Sequence, residues 1–225
     1  MRRTRCTPLE LPDFRLLAFT SAEKRFLFCS MLTHLYLIRH GETAWSLTGQ
    51  HTSRTEVALT PKGEQDARQL AERLQLVRFS EVLTSPRLRA RHTCELAGFG
   101  SRSKIEPDLA EWEYGDYEGL RSTEIHQARP GWSIYRDGCP NGESPEDVSA
   151  RADRLLARIR TREGKIAVFS HGHFGRVLAT RWIGAPLEEA RHLLLNPASV
   201  SILAYEHYNP DAPVIALWNQ TAENR

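Results

Sequence analysis

Short apolar strands that alternate with amphipathic helices are the feature that most constrains the fold of this chain. The segments THLYLI (33–38), EVLTS (81–85) and KIAVFS (165–170) each have the length and composition of a strand. KIAVFS is apolar almost without a break, as is typical of strands buried on both faces of a parallel sheet. Segments with helical periodicity lie between them. This alternation predicts an α/β domain with a mainly parallel central sheet, and SVSILAY and PVIALW predict a final hairpin.

Pairs of Ser or Thr followed by Pro predict where three helices begin. A hydroxyl at the N-cap accepts a backbone N–H, and proline fits the first helical position. We expect the third of these helices to end at Gly164, and a fourth helix to run from about Phe174 to Trp182. The three pairs are Thr60-Pro61, Ser85-Pro86 and Ser144-Pro145.

The basic excess of the chain is confined to its N-terminus. The formal net charge is +2, and residues 1–30 hold six Lys and Arg against three acidic residues. The near-neutral remainder favours neither nucleic acid nor a membrane surface as a partner, and no apolar run approaches the roughly 20 residues of a membrane span. We predict a poorly ordered extension at 1–31, one domain at 32–220 and a tail at 221–225. A targeting arm is the alternative for the extension, and Met31 is an alternative start of translation.

The four cysteines are widely scattered and form no C-x-x-C pair. This spacing favours reduced thiols, and hence a cytoplasmic protein, over a disulfide framework.

Imidazole and guanidinium side chains follow two of the predicted strands directly. RHG (39–41) continues the first strand, and HGH (171–173) continues KIAVFS. Ligands of open α/β folds bind outside the carboxyl ends of the strands. Guanidinium forks match phosphate oxygens, and a neutral imidazole is a nucleophile near neutral pH. The pattern therefore indicates a site that binds and transfers a phosphoryl group.

The same histidines could bind a metal ion. His171 and His173 are potential ligands and His40 could join them, but no carboxylate–histidine cluster has a recognisable metal-site spacing. The sequence contains neither a GxxxxGK[ST] nor a GxGxxG motif. We therefore expect no metal and no nucleotide cofactor.

Six segments of the chain resemble the histidine phosphatase superfamily, the phosphoglycerate-mutase-like proteins. In order they are LYLIRHGETAWSLTGQHT, LTPKGEQDARQLAERL, TSPRLRARHT, LAEWEYGDYEG, NGESPEDVSARADRLL and VFSHGHFGRVLA. The resemblance covers about residues 32–220. It implies a three-layer α/β/α sandwich with a mainly parallel central sheet.

The resemblance also implies roles for five side chains. His40 matches the nucleophile that becomes phosphohistidine, and Glu111 matches the general acid/base. Arg39 and Arg89 match phosphate-binding arginines. His171 matches the second histidine that holds phosphate, which we expect to be cationic.

Further positions match the wall of the substrate pocket. Two of them depart from many relatives, with Ser53 where glycine is usual and Glu56 where aspartate is usual, which puts substrate choice in doubt more than the chemistry. Gly41 is expected to permit a tight turn and a close backbone approach. The predicted substrate-binding residues are Ser46, Thr52, Ser53, Tyr114, Gly172 and His173.

Three functions fit this set of residues. The first is a metal-independent phosphomonoester hydrolase that acts through phosphohistidine on a small phosphorylated metabolite such as a sugar phosphate. The alternatives are a cofactor-dependent phosphoglycerate mutase and a non-catalytic phospholigand-binding protein. The compact stretch 111–144 resembles the phosphatase branch, including sedoheptulose-bisphosphatase-like proteins. A nucleic-acid-binding helix at 87–91 has little support, because no aromatic residues interleave its arginines. The sequence leaves the oligomeric state open.

Overall fold

A computed structural model describes residues 32–222; the whole of the predicted extension and the last three residues of the predicted tail lie outside this range. Its centre is a six-stranded sheet with the strand order β3-β2-β4-β1-β5-β6. The four strands from β3 to β1 are parallel, and β5 and β6 form an antiparallel hairpin at one edge. The strands are β1 (His34–Arg39), β2 (Glu81–Thr84), β3 (Ser103–Ile105), β4 (Lys165–Ser170), β5 (Val200–Tyr205) and β6 (Pro213–Gln220).

Helices cover both faces of this sheet. Helices α6 and α7 share one apolar cluster with the sheet, and α2 and α3 share a second cluster on the opposite face. The predicted three-layer α/β/α arrangement is thereby confirmed. Short 3-10 turns add to the connections, at Gly100–Arg102, Pro107–Leu109, Gly115–Tyr117, Leu187–His192 and Glu206–Tyr208. The helices are α1 (Ala44–Thr48), α2 (Pro61–Leu74), α3 (Leu88–Leu96), α4 (Ser122–Ala128), α5 (Ile134–Asp137), α6 (Pro145–Arg160) and α7 (Gly172–Trp182).

Strand β4 lies at the centre of the sheet and contributes to both clusters. Ile166 and Val168 face α6 and α7, while Ala167 and Phe169 face α2 and α3. All four side chains are fully buried. The unbroken apolar run of KIAVFS follows from this position, because alternate residues of a strand point to opposite faces.

Two of the three predicted helix starts are confirmed. The hydroxyls of Thr60 and Ser144 accept the backbone N–H of the third residue of α2 and α6, with proline at the first helical position. The predicted start at Ser85-Pro86 is wrong: α3 begins at Leu88 and has no side-chain cap. The hydroxyl of Ser85 instead lies 2.7 Å from His171 Nε2.

Smaller differences occur elsewhere. Helix α6 ends at Arg160 rather than at Gly164, and α7 begins two residues before Phe174. The stretch 98–143 contains strand β3 and two short helices that the sequence analysis did not predict. The hairpin of β5 and β6 is confirmed.

The loop after β1 crosses the start of α2 at backbone contact. A Cβ on Gly63 would lie 2.2 Å from the carbonyl oxygen of Glu42, and one on Gly41 would lie 2.5 Å from that of Gly63. Thr60 reinforces the crossing, since its N–H donates to the Glu42 carbonyl at 2.9 Å. Gly41 does permit a close backbone approach, and its partner is Gly63; its φ lies outside the left-handed region.

We predict that Gly63→Ala destabilises the fold. Gly→Ala inside a helix ordinarily stabilises by about 0.8–1.0 kcal/mol, but here the new methyl group meets backbone that has no room to move. The free energy of unfolding should fall by about 1–3 kcal/mol. Urea denaturation measures it, and Gln65→Ala at an exposed position of the same helix is the control. A Gly63→Ala protein as stable as the wild type would contradict the packing described here.

Candidate active site

His40 lies at the carboxyl end of β1 and is fixed by its neighbours. Its N–H donates to the Ser170 carbonyl at 2.9 Å, and its carbonyl accepts from the N–H of Ala198 at 3.1 Å. The ring is buried, with Nδ1 2.7 Å from the Gly41 carbonyl. Because a carbonyl oxygen only accepts, Nδ1 carries the proton and Nε2 keeps its lone pair. His40 therefore presents one nucleophilic nitrogen in a fixed orientation.

His171 follows the neighbouring strand β4 and faces His40. Arg39 and Ser170 are partners in the parallel register, so the residues after them emerge side by side. The two imidazole rings are 5.2 Å apart between centroids, at an angle of 62°. His171 Nε2 bonds the hydroxyl of Ser85, and its Nδ1 is buried without a protein partner.

Both imidazoles are neutral in this arrangement. Burial, followed by the charge of Arg89, lowers the pKa of His40 and of His171 well below the ordinary value of 6.5. In the protein alone, a buried ring among guanidinium groups disfavours a further positive charge on His171. The expectation that His171 is cationic when it holds phosphate stays a prediction. A dianionic phosphate beside the ring would raise the pKa of His171.

Arg39 and Arg89 bring two guanidinium groups to the histidines. Arg89 is fully buried; its two terminal nitrogens donate to the carbonyls of Thr52, Ser53 and Thr55 at 2.9–3.2 Å. Arg39 donates to the Leu195 carbonyl, and burial lowers its pKa to about 10. Neither arginine forms an ion pair with a described carboxylate.

Unpartnered polar atoms concentrate around these groups. Within residues 32–222, five buried side-chain nitrogens have no hydrogen-bond partner, and every one belongs to an arginine or a histidine of this region. A buried donor without a partner costs about 1–3 kcal/mol, so such a cluster indicates a site built for an anion. The atoms are Nε of Arg39, Arg87, Arg89 and Arg176, and Nδ1 of His171.

Glu111 is held in place by backbone amides. Its carboxylate accepts from the N–H groups of Trp112 at 2.9 Å, His173 at 3.1 Å and Phe174 at 2.7 Å. The last two belong to the first turn of α7, where unpaired amides and the helix dipole favour an anion. Glu111 is 7% exposed and lines the same cavity as His40. The carboxyl group thus reaches the space in front of the nucleophile.

Most of the predicted substrate-binding residues surround this cavity. The hydroxyl of Tyr114 bonds His173 Nδ1 at 2.7 Å, which orients both side chains. Ser53 does not line the cavity: its side chain is buried, and its hydroxyl donates to Glu118 at 2.7 Å. Glu56 accepts the N–H of Leu88 at the start of α3. The predicted residues that line the cavity are Ser46, Thr52, Tyr114, Gly172 and His173.

The cavity wall contains residues that the sequence analysis missed. His51 is buried with its ring 4.6 Å from that of Tyr114, and burial lowers its pKa to about 4. Arg176 lies on the same face of α7 as Gly172, four residues further on, and this spacing could have revealed it. Ser122 also lines the cavity, and no motif pointed to it.

Glu118 fixes the loop that holds Arg89. Its carboxylate accepts from the Ser53 N–H at 2.9 Å and from the Thr55 N–H at 3.0 Å. Burial alone would raise the pKa of Glu118, but the hydrogen bonds from Thr55 and Ser53 outweigh it and hold that pKa below its ordinary value. The carbonyls of both residues bond Arg89, so Glu118 positions the guanidinium through the loop.

These groups define the class of the protein as one that binds a tetrahedral oxyanion next to a nucleophilic imidazole. Guanidinium donors supply charge, His40 supplies a lone pair, and Glu111 supplies a carboxyl group. The histidine phosphatase superfamily (branch 1) model matches residues 35–221, and the chain belongs to this family.

Named relatives extend the comparison. An acid phosphatase of Mycobacterium tuberculosis is 41% identical over 77% of this chain and 87% of its own length. A sedoheptulose 1,7-bisphosphatase of Saccharomyces cerevisiae is 33% identical, covering 84% and 93%. A probable phosphoglycerate mutase of an Enterobacter species is 30% identical, covering 78% and 86%. The solved structure of an open reading frame product of M. tuberculosis superimposes with a TM-score of 0.77 at 38% identity, covering 84% of this chain and 98% of that one.

We predict that Glu118→Gln weakens catalysis through Arg89. The amide cannot accept from Ser53 and Thr55 with both of its atoms, so the loop carbonyls shift; one strained or lost hydrogen bond of this kind lowers kcat/KM about tenfold. Steady-state kinetics with p-nitrophenyl phosphate measures the effect, and we expect it mainly in KM.

The control for Glu118→Gln is Asp116→Asn, two residues away. Asp116 is exposed and accepts only from the Asn141 side chain, at 2.9 Å. Equal kinetic losses in the two variants would show that Glu118 does not position Arg89.

Proposed function

We propose that this protein is a metal-independent phosphomonoesterase that forms a phosphohistidine intermediate at His40. The observation that carries the proposal is the neutral, fixed imidazole of His40 beside buried guanidinium groups that form no ion pair with a described carboxylate and keep unpartnered nitrogens. A phosphoryl group would bring the missing negative charge and place its phosphorus atom next to the nucleophile.

In the first half of the proposed reaction, His40 Nε2 attacks phosphorus and the bond to the ester oxygen breaks. The Glu111 carboxyl group donates a proton to the leaving alkoxide. Arg39, Arg89 and His171 bind the remaining phosphoryl oxygens. In the second half, Glu111 takes a proton from water, and the resulting hydroxide attacks phosphorus and breaks the P–N bond. Inorganic phosphate leaves, and both His40 and Glu111 return to their starting states.

Side chains supply the positive charge in this proposal. Two guanidinium groups suit the dispersed charge of a phosphoryl group in transfer, because each is always charged and carries several N–H donors. Within the described part of the chain, no group of three or more His, Cys, Asp or Glu side chains is arranged to hold a metal ion. The proposed mechanism routes no step through a metal or a cofactor.

We propose a small phosphorylated metabolite, such as a sugar phosphate, as the substrate. The acid phosphatase and sedoheptulose bisphosphatase names of the relatives at 41% and 33% identity support this choice. One relative at 30% identity is named a probable phosphoglycerate mutase. A mutase activity, in which the phosphoryl group returns to a bound acid, is therefore the second candidate. A panel of sugar phosphates and phosphoglycerates, with inorganic phosphate and mutase product both recorded, separates the two activities.

The proposal also covers the cellular location and the partners of the enzyme. We infer a cytoplasmic location and no nucleic-acid partner; the free, buried thiols of Cys94 and Cys139 and the near-neutral charge of the domain support this. Within residues 32–222, no helix combines the length and apolarity needed to cross a membrane. The division into an extension at 1–31, a domain at 32–220 and a tail stays a prediction.

We predict that His40→Ala abolishes turnover, because the variant lacks the imidazole nitrogen that receives the phosphoryl group. Brief exposure of the wild type to radiolabelled substrate in excess EDTA should give an acid-labile, base-stable label at position 40. His192→Ala, at an exposed histidine, is the control. A label that persists in His40→Ala would refute the nucleophile, and activity that requires an added metal would refute the metal-free mechanism.

We predict that Glu111→Gln slows the hydrolysis of alkyl phosphates far more than the hydrolysis of aryl phosphates. A sugar alkoxide is strongly basic and needs a proton as the bond breaks, whereas p-nitrophenolate does not. The loss for a sugar phosphate should approach the factor of about 10²–10⁴ typical of general acid catalysis. Values of kcat/KM for both substrates on one variant decide the question, since equal losses would assign Glu111 to loop structure alone.

A further inference from the structure

A second cavity adjoins the candidate active site. The two cavities share four lining residues, His51, Ser122, His173 and Arg176. The second cavity extends from there along the segment 132–135 and reaches Arg191. A substrate whose phosphoryl group lies at His40 therefore has room to extend past Arg176.

Arg176 stands at the junction of the two cavities with most of its donors unused. Its Nη1 donates to the Tyr135 hydroxyl at 3.3 Å, and its Nε is buried without a partner. A guanidinium group has five N–H donors, so four remain for a ligand. Its position four residues after Gly172 places it about 6 Å further along the helix axis, on the same face.

The groups around Arg176 leave its charge unbalanced. Within the described range no carboxylate forms an ion pair with it, and none lines the second cavity. Tyr135 and His51 are neutral: burial raises the pKa of the first to about 12 and lowers that of the second to about 4. Glu111, the carboxylate of the adjoining cavity, is already bonded by three backbone amides. A partly buried cation of this kind fits an anion that comes with the ligand.

We propose that Arg176 binds a second anionic group of the substrate, so that the preferred substrate is a phosphomonoester that carries a further phosphate or carboxylate. This inference rests on the proposed phosphomonoesterase function and specifies its substrate class. The phosphate to be cleaved lies at His40, Arg39 and Arg89, while the second anion lies beside Arg176 and the hydroxyls of Ser122 and Tyr135.

The test compares a sugar bisphosphate with the monophosphate of the same sugar, and includes a phosphorylated sugar acid. For the wild type, kcat/KM should be at least tenfold higher for the substrates that carry a second anionic group than for the monophosphate. Arg176→Gln should reduce kcat/KM for a substrate with a second anion about ten- to hundredfold more than for the monophosphate. The substrate for which Arg176→Gln lowers kcat/KM more, the bisphosphate or the phosphorylated sugar acid, shows whether the second anion is a phosphate or a carboxylate.

Two further variants keep the test decisive. Arg176→Lys retains the charge and should recover part of the preference, which distinguishes anion binding from a folding defect. Arg181→Gln, on the same helix but paired with Asp153, is the control and should alter all substrates equally. Equal losses by Arg176→Gln on mono- and bisphosphate would overturn the inference. Absence of p-nitrophenyl phosphate hydrolysis by the wild type would instead overturn the proposed function itself.

Discussion

The structure of the site depends on keeping two guanidinium groups buried without a carboxylate partner. An isolated buried charge is expensive, and a protein normally compensates with an ion pair. Here backbone carbonyls take that place: those of Thr52, Ser53 and Thr55 for Arg89, and that of Leu195 for Arg39. A carbonyl satisfies the N–H donors without neutralising the charge, so the positive potential persists in the cavity. Burial, followed by this positive charge, keeps both imidazoles neutral, and only a neutral imidazole is a nucleophile.

This arrangement requires a rigid frame, because carbonyl oxygens solvate a guanidinium only at the right distance. The parallel pairing of β1 and β4 aligns His40 and His171. The close backbone contact between Gly41 and Gly63 anchors the loop after β1. Glu118 anchors the second loop, and Thr93 donates its hydroxyl to the Arg89 carbonyl while accepting from the Gly41 N–H, at 2.7 and 2.9 Å. The candidate catalytic groups are thus fixed by contacts between segments that lie far apart in the chain.

The sequence predicted what depends on local patterns. The strands at β1, β2 and β4, the caps at Thr60 and Ser144 and the terminal hairpin follow from composition and spacing. So does the position of His40 and His171 directly after two of these strands. The start of α3 was mispredicted because Ser85 bonds His171 across the sheet, a contact between residues 86 positions apart. Strand β3 has three residues and no readable period. Glu118 acts through hydrogen bonds to Ser53, 65 positions earlier in the chain, and no motif links the two residues. The neutrality of His171 depends on burial, which a motif does not report either.

The position of Glu111 has a consequence for how such a site can change. Its carboxylate already bonds the second and third amides of α7, so those two donors are satisfied by the protein and are not available to hold phosphate. Recognition of the ligand therefore falls mainly to side chains of the cavity wall. Side chains can be exchanged one at a time while the main chain keeps its course, so a scaffold of this design can acquire new substrates by single substitutions in the cavity wall. The names of two relatives, a sedoheptulose 1,7-bisphosphatase and a probable phosphoglycerate mutase, indicate different substrates, as such adaptability would produce.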